Sequence, residues 1–354
     1  MDTINYTNDA IGLLKELIQI PSVSRNEEKA ADKLAEYLDK WGLPYGREVN
    51  NLWVGCQDWD SNRPTIMLNA HIDTVKPVST WTRDAFTPTL EGDTLYGLGS
   101  NDCGGGLVAL LQAYRIMVER PRDYNLLWVA SAEEEISGAN GFSRVLPKLP
   151  KVDVAIVGEP TGMQPAIAEK GLMVIDGYAH GKSGHAARNE GVNAIYEALD
   201  DLVWLRDYKF RKVSPFLGAT KMTVTVVESG TQHNVIPDVL HFIIDVRTNE
   251  YYQNEYLFEF LHKKMTKCEL RARSFRLHSS SISPDHPLIK RCIDRGMQPF
   301  GSPTLSDQAL MPFLSFKLGP GESSRSHAAD EYIKISEISK AIDIYVDLLD
   351  GLVL

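Results

Sequence analysis

No C-x-x-C pair occurs: Cys56, Cys103, Cys268 and Cys292 are scattered, so a closed cysteine-built metal site is not expected and a reducing cytoplasm is the simplest home. No apolar run approaches the length of a membrane span, and the start, MDTINYTNDA, lacks the basic-then-apolar pattern of a secretory signal. Cations are in deficit, with 37 Lys and Arg against 47 Asp and Glu, a net charge of −10. Nucleic acid and anionic membrane both call for clustered Lys and Arg, so neither is expected as a partner. The absence of G-x-S-x-G removes a serine hydrolase. GLGSNDCGGG is not G-x-G-x-x-G and puts an acid where a phosphate would need bare N–H groups. Repeats and low-complexity tracts are missing too.

What is present is a relay of metal-type side chains, each following an apolar, strand-like run. His71 and Asp73 follow TIMLNA, Asp102 lies in YGLGSNDCGGG, Glu134 and Glu135 end WVASAEEE, Glu159 follows VAIVG, and His327 lies beyond FLSFKLGPG. From 71 to 102 to 135 to 159 the steps are 31, 33 and 24 residues. Each is about one strand-plus-helix unit, so a parallel sheet would bring all of them to one edge, where such sheets keep their active sites.

At 354 residues two domains are expected, and 43% hydrophobic with 24% charged residues is ordinary for a globular chain. Ile11, Leu14, Ile18 and then Ala31, Leu34, Ala35, Leu38 recur at helical spacing, with Gly42 placed to stop the second helix. From 65 to 157 apolar strands alternate with one clear helix, GLVALLQAYRIMV, which reads as α/β with a mostly parallel sheet. After Ala168 come LMVIDGYAH, NAIYEALDDLVWL, TKMTVTVV, LHFIIDVR, EYLFEFLHKKM and ELRARSFRL, a βαββαβ order. PFLSFKLG and ISEISKAIDIYVDLLDGL then restore the first pattern. The predicted division is a discontinuous catalytic domain, 1–169 and 281–354, with an inserted domain at 170–280.

Asp, Glu and His without Cys form a set that suits a catalytic zinc site. One shared carboxylate, Asp102, lets five ligands supply three to each of two ions. Three consecutive acids, 133–135, end a strand where a cation could offset their repulsion. Successive residues point in different directions, so one can bind metal while its neighbour serves as general base.

The chain resembles the co-catalytic zinc deacylases and peptidases that include acetylornithine deacetylase, succinyl-diaminopimelate desuccinylase, aminoacylase and glutamate carboxypeptidase. His71-Ile72-Asp73 is similar to the family's H-x-D, GLGSNDCGGGL to its G-x-G-x-x-D loop, and Glu133 to Gly141 to its D-E-E-x-x-G-x-x-G. Glu159 in GEPT and His327 in SRSHAADEYI match two further ligand positions. The resemblance implies His71, Asp102 and Glu159 on one Zn²⁺ and Asp102, Glu135 and His327 on the other, two per subunit, with Co²⁺ as a substitute. It implies Glu134 as general base, Asp73 as the residue holding the His71 imidazole, and a cis peptide after Asp102. The inserted domain would be a ferredoxin-like lid forming a homodimer, with His185 in GKSGHAA reaching the partner's site as an oxyanion donor. Lys170, Asn234 in HNVIPD and Arg247 in DVRT match lid positions that contact substrate. The family's T-S-D is here Leu305-Ser306-Asp307, which weakens a diaminopimelate substrate.

The expected reaction is amide hydrolysis of a small N-acyl amino acid, N²-acetylornithine first, in arginine biosynthesis. N-succinylornithine, succinyl-diaminopimelate, acetyl-lysine and short peptides stay open, since acyl preference rests on a few pocket contacts. A metal-dependent binding protein without turnover is the reading from another class.

Overall fold

The computed structural model describes residues 3–188 and 190–354. The chain separates into two compact units: residues 1–167, 282–300 and 306–354 form the first, and residues 168–281 with 301–305 the second. The short segment 301–305 thus belongs with the inserted unit, whereas the sequence division left it in the catalytic one.

In the first unit every residue of strand Thr65–His71 is buried, as a strand covered on both faces and paired on both sides requires. Its neighbours Asn125–Ser131 and Val154–Val157 both run parallel to it, and Leu314–Lys317 extends the parallel set. Asn51–Gly55 joins antiparallel at one margin, and Lys317 pairs antiparallel with Ala166 toward the other. Helix Gly105–Val118 is buried from Gly105 to Met117, enclosed with helices Thr3–Ile18 and Ile335–Leu349 in one apolar core. Helix Glu28–Lys40 turns Ala31, Leu34, Ala35 and Leu38 inward, and Gly42 stops it at φ 64°.

The second unit carries the expected βαββαβ order: Gly171–His180, helix Ala194–Asp207, Lys221–Ser229, Val239–Thr248, helix Asn254–Lys264 and Glu269–Ala272. All pairings are antiparallel, with Lys221–Ser229 at one edge and Glu269–Ala272 at the other. Asn193 caps the first helix by accepting the Ile195 N–H at 2.9 Å. Two sequence boundaries were too long: the last strand stops at Ala272 rather than running through ELRARSFRL, and the closing helix stops at Leu349. Among the described residues no helix is long and apolar enough to cross a membrane.

Candidate metal centre

The parallel register sets the strand ends level. His71 is opposite Ser131 and Asn69 opposite Val157, so Asp73, Glu134 and Glu159 all leave the sheet at the same edge. His71 is buried, and its Nε2 lies 3.2 Å from Asp102 Oδ1, 3.7 Å from Glu159 Oε1 and 3.9 Å from Glu134 Oε2. On the other side of Asp102, His327 Nε2 is 3.6 Å from Oδ2 and 3.0 Å from Glu135 Oε2. The five expected ligands and Glu134 are therefore gathered in one place, with Asp102 between the two histidines.

His71 Nδ1 lies 2.9 Å from the Asp73 carbonyl oxygen, while the Asp73 carboxylate stands 3.6 Å away. A proton on Nδ1 shared with that carbonyl leaves the Nε2 lone pair facing the acids, the tautomer a metal needs. The peptide group, rather than the expected side chain, makes the shorter contact. The Asp73 carboxylate accepts the Ser24 hydroxyl at 2.7 Å and the N–H groups of Glu134 and Glu135 at 3.0 and 3.2 Å. Asp73 thereby fixes the backbone of the turn that presents both glutamates.

That turn explains its own sequence. Glu133 points inward, where its carboxylate accepts the Asn140 N–H and side-chain amide at 3.1 and 3.0 Å. A Cβ at Gly138 would sit 1.9 Å from Glu133 Oε2, and one at Gly141 2.2 Å from the Ala132 carbonyl oxygen. Both positions need glycine because the chain folds back on the first acid. The first of the three acids is structural, and the second and third face the cluster.

Asp102 sits in a loop held from two directions, and its bond to Cys103 is cis. Glu331 is buried, and its Oε1 accepts the N–H groups of Asn101 and Asp102 at 2.9 Å each, while Oε2 accepts that of Gly99 at 3.2 Å. Asn101 donates to the Glu322 carbonyl at 3.0 Å and to Ser326 Oγ at 3.2 Å, and accepts the Glu322 N–H at 3.0 Å. Tyr332–Lys334 pairs antiparallel with Thr94–Tyr96, which brings the segment after His327 to the glycine loop. Glu331 and Asn101, neither assigned a role from sequence, tie the Asp102 loop to the His327 segment. Asp307 accepts the Ser131 hydroxyl at the end of strand Asn125–Ser131, and its charge acts on Glu134.

The electrostatics fit a cation. Burial pushes the Glu134 carboxyl well up, and the charges of Glu159, Asp307 and Glu135 add to this against an opposing pull from His71. Glu135 is pushed up to about 8 by burial, with Asp102, Asp73 and Glu159 adding. Burial alone would lower the His71 pKa; neighbouring acids, Asp102 and Glu134 among them, more than reverse it. Crowded acids that resist ionisation are what a bound divalent ion relieves. His71, Asp102 and Glu135 offer ligand atoms within 4.8 Å of one another, as do His71, Cys103 and Glu159. Burial pushes the Cys103 thiol up, and its Sγ accepts the His71 N–H at 3.2 Å. A protonated thiol already hydrogen-bonded to backbone is a poorer ligand than Asp102 beside it.

In the second unit, His185 and Asn234 share one ribbon: His185 pairs with Val235, and the Ala186 N–H donates to the Asn234 carbonyl at 3.0 Å. The exposed His185 ring accepts the Ala187 N–H at Nδ1, 3.1 Å away. Arg247 donates to Asp245 at 2.8 and 3.1 Å and is paired across the strands with Lys221. Lys170 is held below the ordinary lysine range by burial, then by the charges of Lys221 and Arg247, so these three cations lie near one another.

A parallel-sheet edge carrying this His, Asp and Glu set, with a further glutamate beside it, defines a metal-dependent amidohydrolase. Residues 67–351 match the model of peptidase family M20/M25/M40, and the chain belongs to that family. It is 28% identical to the acetylornithine deacetylase of Proteus mirabilis over 96% of each chain. It is 27% identical to the succinyl-diaminopimelate desuccinylase of a Wolbachia strain, over 68% of this chain and 65% of that one. A dinuclear metal-binding M20 peptidase from Bacillus subtilis superposes with a TM-score of 0.74 at 16% identity, covering 98% of both chains. The mixed α/β architecture is thus that of the M20 peptidases.

Proposed function

We propose that the chain hydrolyses the amide bond of an N-acyl diamino acid, N²-acetylornithine first. The observation that carries this is Glu134: a buried carboxyl 3.9 Å from His71, its pKa raised, beside the ligands and surplus to them. The overall similarity to an acetylornithine deacetylase along 96% of both chains supports the choice of substrate. His71, Asp102 and Glu159 would hold one Zn²⁺, and Asp102, Glu135 and His327 the other, with Co²⁺ as a substitute. When bound, such a pair supplies Lewis-acid polarisation of the acyl carbonyl and a lowered pKa for the attacking water.

Glu134 takes the proton from that water and passes it to the departing amine, so no covalent acyl-enzyme is required. Its place beside the ligand cluster, without being needed as a ligand, suits both transfers. His185, from the partner subunit of a homodimer, stabilises the developing oxyanion. Lys170, Asn234 and Arg247 bind the substrate. Four buried, free cysteines are in keeping with a cytoplasmic setting.

The test is Glu134→Gln, which keeps the shape but cannot relay a proton. It should retain parent zinc content and unfolding midpoint while losing about 10²–10⁴-fold in kcat on N²-acetylornithine. Parent-level turnover at equal metal content would remove Glu134 from the reaction. A panel of N-acetyl and N-succinyl ornithine, acetyl-lysine, succinyl-diaminopimelate and dipeptides fixes the substrate, and a better rate on another member would displace acetylornithine.

A further inference from the structure

Along the Glu135 side of the ligand cluster, the first unit has a cleft of about 360 Å³ lined by Val23, Arg25, Thr74, Lys76, Glu135 and Ile136 among others. Val23 and Thr74 form a parallel bridge, and the Ser24 N–H donates to the Thr74 carbonyl at 3.2 Å, so the two segments run side by side. Arg25 has a left-handed φ of 77°, fixed where its N–H donates to Oε1 of the buried Glu27 at 2.7 Å. A non-glycine residue keeps that backbone only where its surroundings impose it, and here the effect is to set where the guanidinium emerges.

The charges of the cleft are unmatched. Neither Arg25 nor Lys76 has an ion-pair partner among the described residues, although both share the cleft with Glu135 in a chain of net charge −10. Thr74 is 8% exposed, and its hydroxyl is buried with no hydrogen-bond partner among the described residues. Val23 and the 45% exposed Ile136 give the same cleft apolar surface. Two free cations and an apolar wall, next to carbons that would be under attack, describe a pocket for a short chain ending in an anion.

We propose that this cleft binds a free carboxylate of the substrate, with Arg25 and Lys76 as counter-charges and Val23 and Ile136 against the intervening methylenes. This rests on the reading of the chain as an N-acyl amino acid hydrolase. The carboxylate has two sources: the α-carboxylate of the amino acid, or the far end of a dicarboxylic acyl group such as succinyl.

The experiment compares the zinc-loaded full chain with its Arg25→Glu/Lys76→Glu variant on N²-acetylornithine, N²-succinylornithine and N-acetyl-1,4-diaminobutane, which has no carboxylate. Loss of charge-assisted contacts should raise KM roughly 10- to 100-fold on the substrate whose carboxylate occupies the cleft, with kcat little changed. If the acyl end is bound there, the succinyl-to-acetyl ratio of kcat/KM falls. If the α-carboxylate is bound there, that ratio holds and the ratio of acetylornithine to acetyldiaminobutane falls. Both ratios unchanged, in a variant with parent zinc content and unfolding midpoint, overturn the proposal. Should the parent hydrolyse none of the three, the functional reading fails on its own, and calorimetry with succinate decides the cleft. Weaker succinate binding by the variant then supports it, and equal or absent binding in both proteins overturns it.

Discussion

Glu331 shows how one side chain can set the shape of a site without facing its contents. Its carboxyl receives three N–H groups from the Asp102 loop, yet burial pushes its pKa from the ordinary 4.5 up to about 7, with the Asp102 charge adding. Because the folded pKa lies above the unfolded one, the fold holds this proton more tightly. Its contribution to stability is full below about pH 4.5 and is lost as the pH rises through 7. At about 1.4 kcal/mol per unit the loss is on the order of 3 kcal/mol. Glu331→Gln, which cannot titrate, should be less stable than the parent at pH 5, since an amide cannot accept all three N–H groups, and the gap should narrow at pH 8. Urea unfolding of chelator-treated protein at the two pH values measures this, and a gap that widens with pH would contradict it. His71, Asp102, Glu135 and Glu159 were legible in the sequence because each follows an apolar strand or a glycine-rich turn. Glu331 was not, because its partners lie some 230 residues earlier and no local pattern marks a carboxylate that will meet their N–H groups.

At the level of elements, the glycines after Asp102 decide how closely a helix meets a strand end. A Cβ at Gly106 would lie 1.8 Å from the Gly158 carbonyl oxygen, immediately before Glu159, so helix Gly105–Val118 can sit there only without a side chain. Gly106→Ala must push that helix from the end of Val154–Val157, costing roughly 1–3 kcal/mol by overpacking, and it should also weaken zinc binding by displacing Glu159. Gly12→Ala is the contrast: its Cβ would meet nothing within 4 Å inside helix Thr3–Ile18. Relief of glycine's entropy should there add about 0.5–1 kcal/mol. Urea midpoints and zinc titration of both variants check the pair, and an unperturbed Gly106→Ala would mean the contact is not tight in solution. Helices and parallel strands were readable from apolar period alone. The pairing of Thr94–Tyr96 with Tyr332–Lys334 was not, because strands three residues long carry too little alternation to register. That small sheet is what brings His327 home.

For the whole molecule, the second unit displays a surface that a lone subunit does not use. Ile195, Tyr196, Leu199 and Val203 are exposed along one helix, and the edge strand Lys221–Ser229 is paired on one side only, with Val227 exposed beside it. Apolar side chains at helical spacing next to an open strand edge favour a symmetric partner, and isologous dimers are the commonest oligomers. If that partner is a second copy and His185 acts in its site, each active site draws Glu134 from one chain and His185 from the other. His185→Ala and Glu134→Ala homodimers should then both be nearly inactive for different reasons. In a hybrid, one site would lack both groups while the other would carry both intact. Mixing the two variants under subunit exchange should therefore restore activity toward half the parental rate per hybrid dimer. Native mass spectrometry shows whether hybrids have formed. Exchanged hybrids no more active than either variant alone would place His185 in its own subunit's site or outside the reaction.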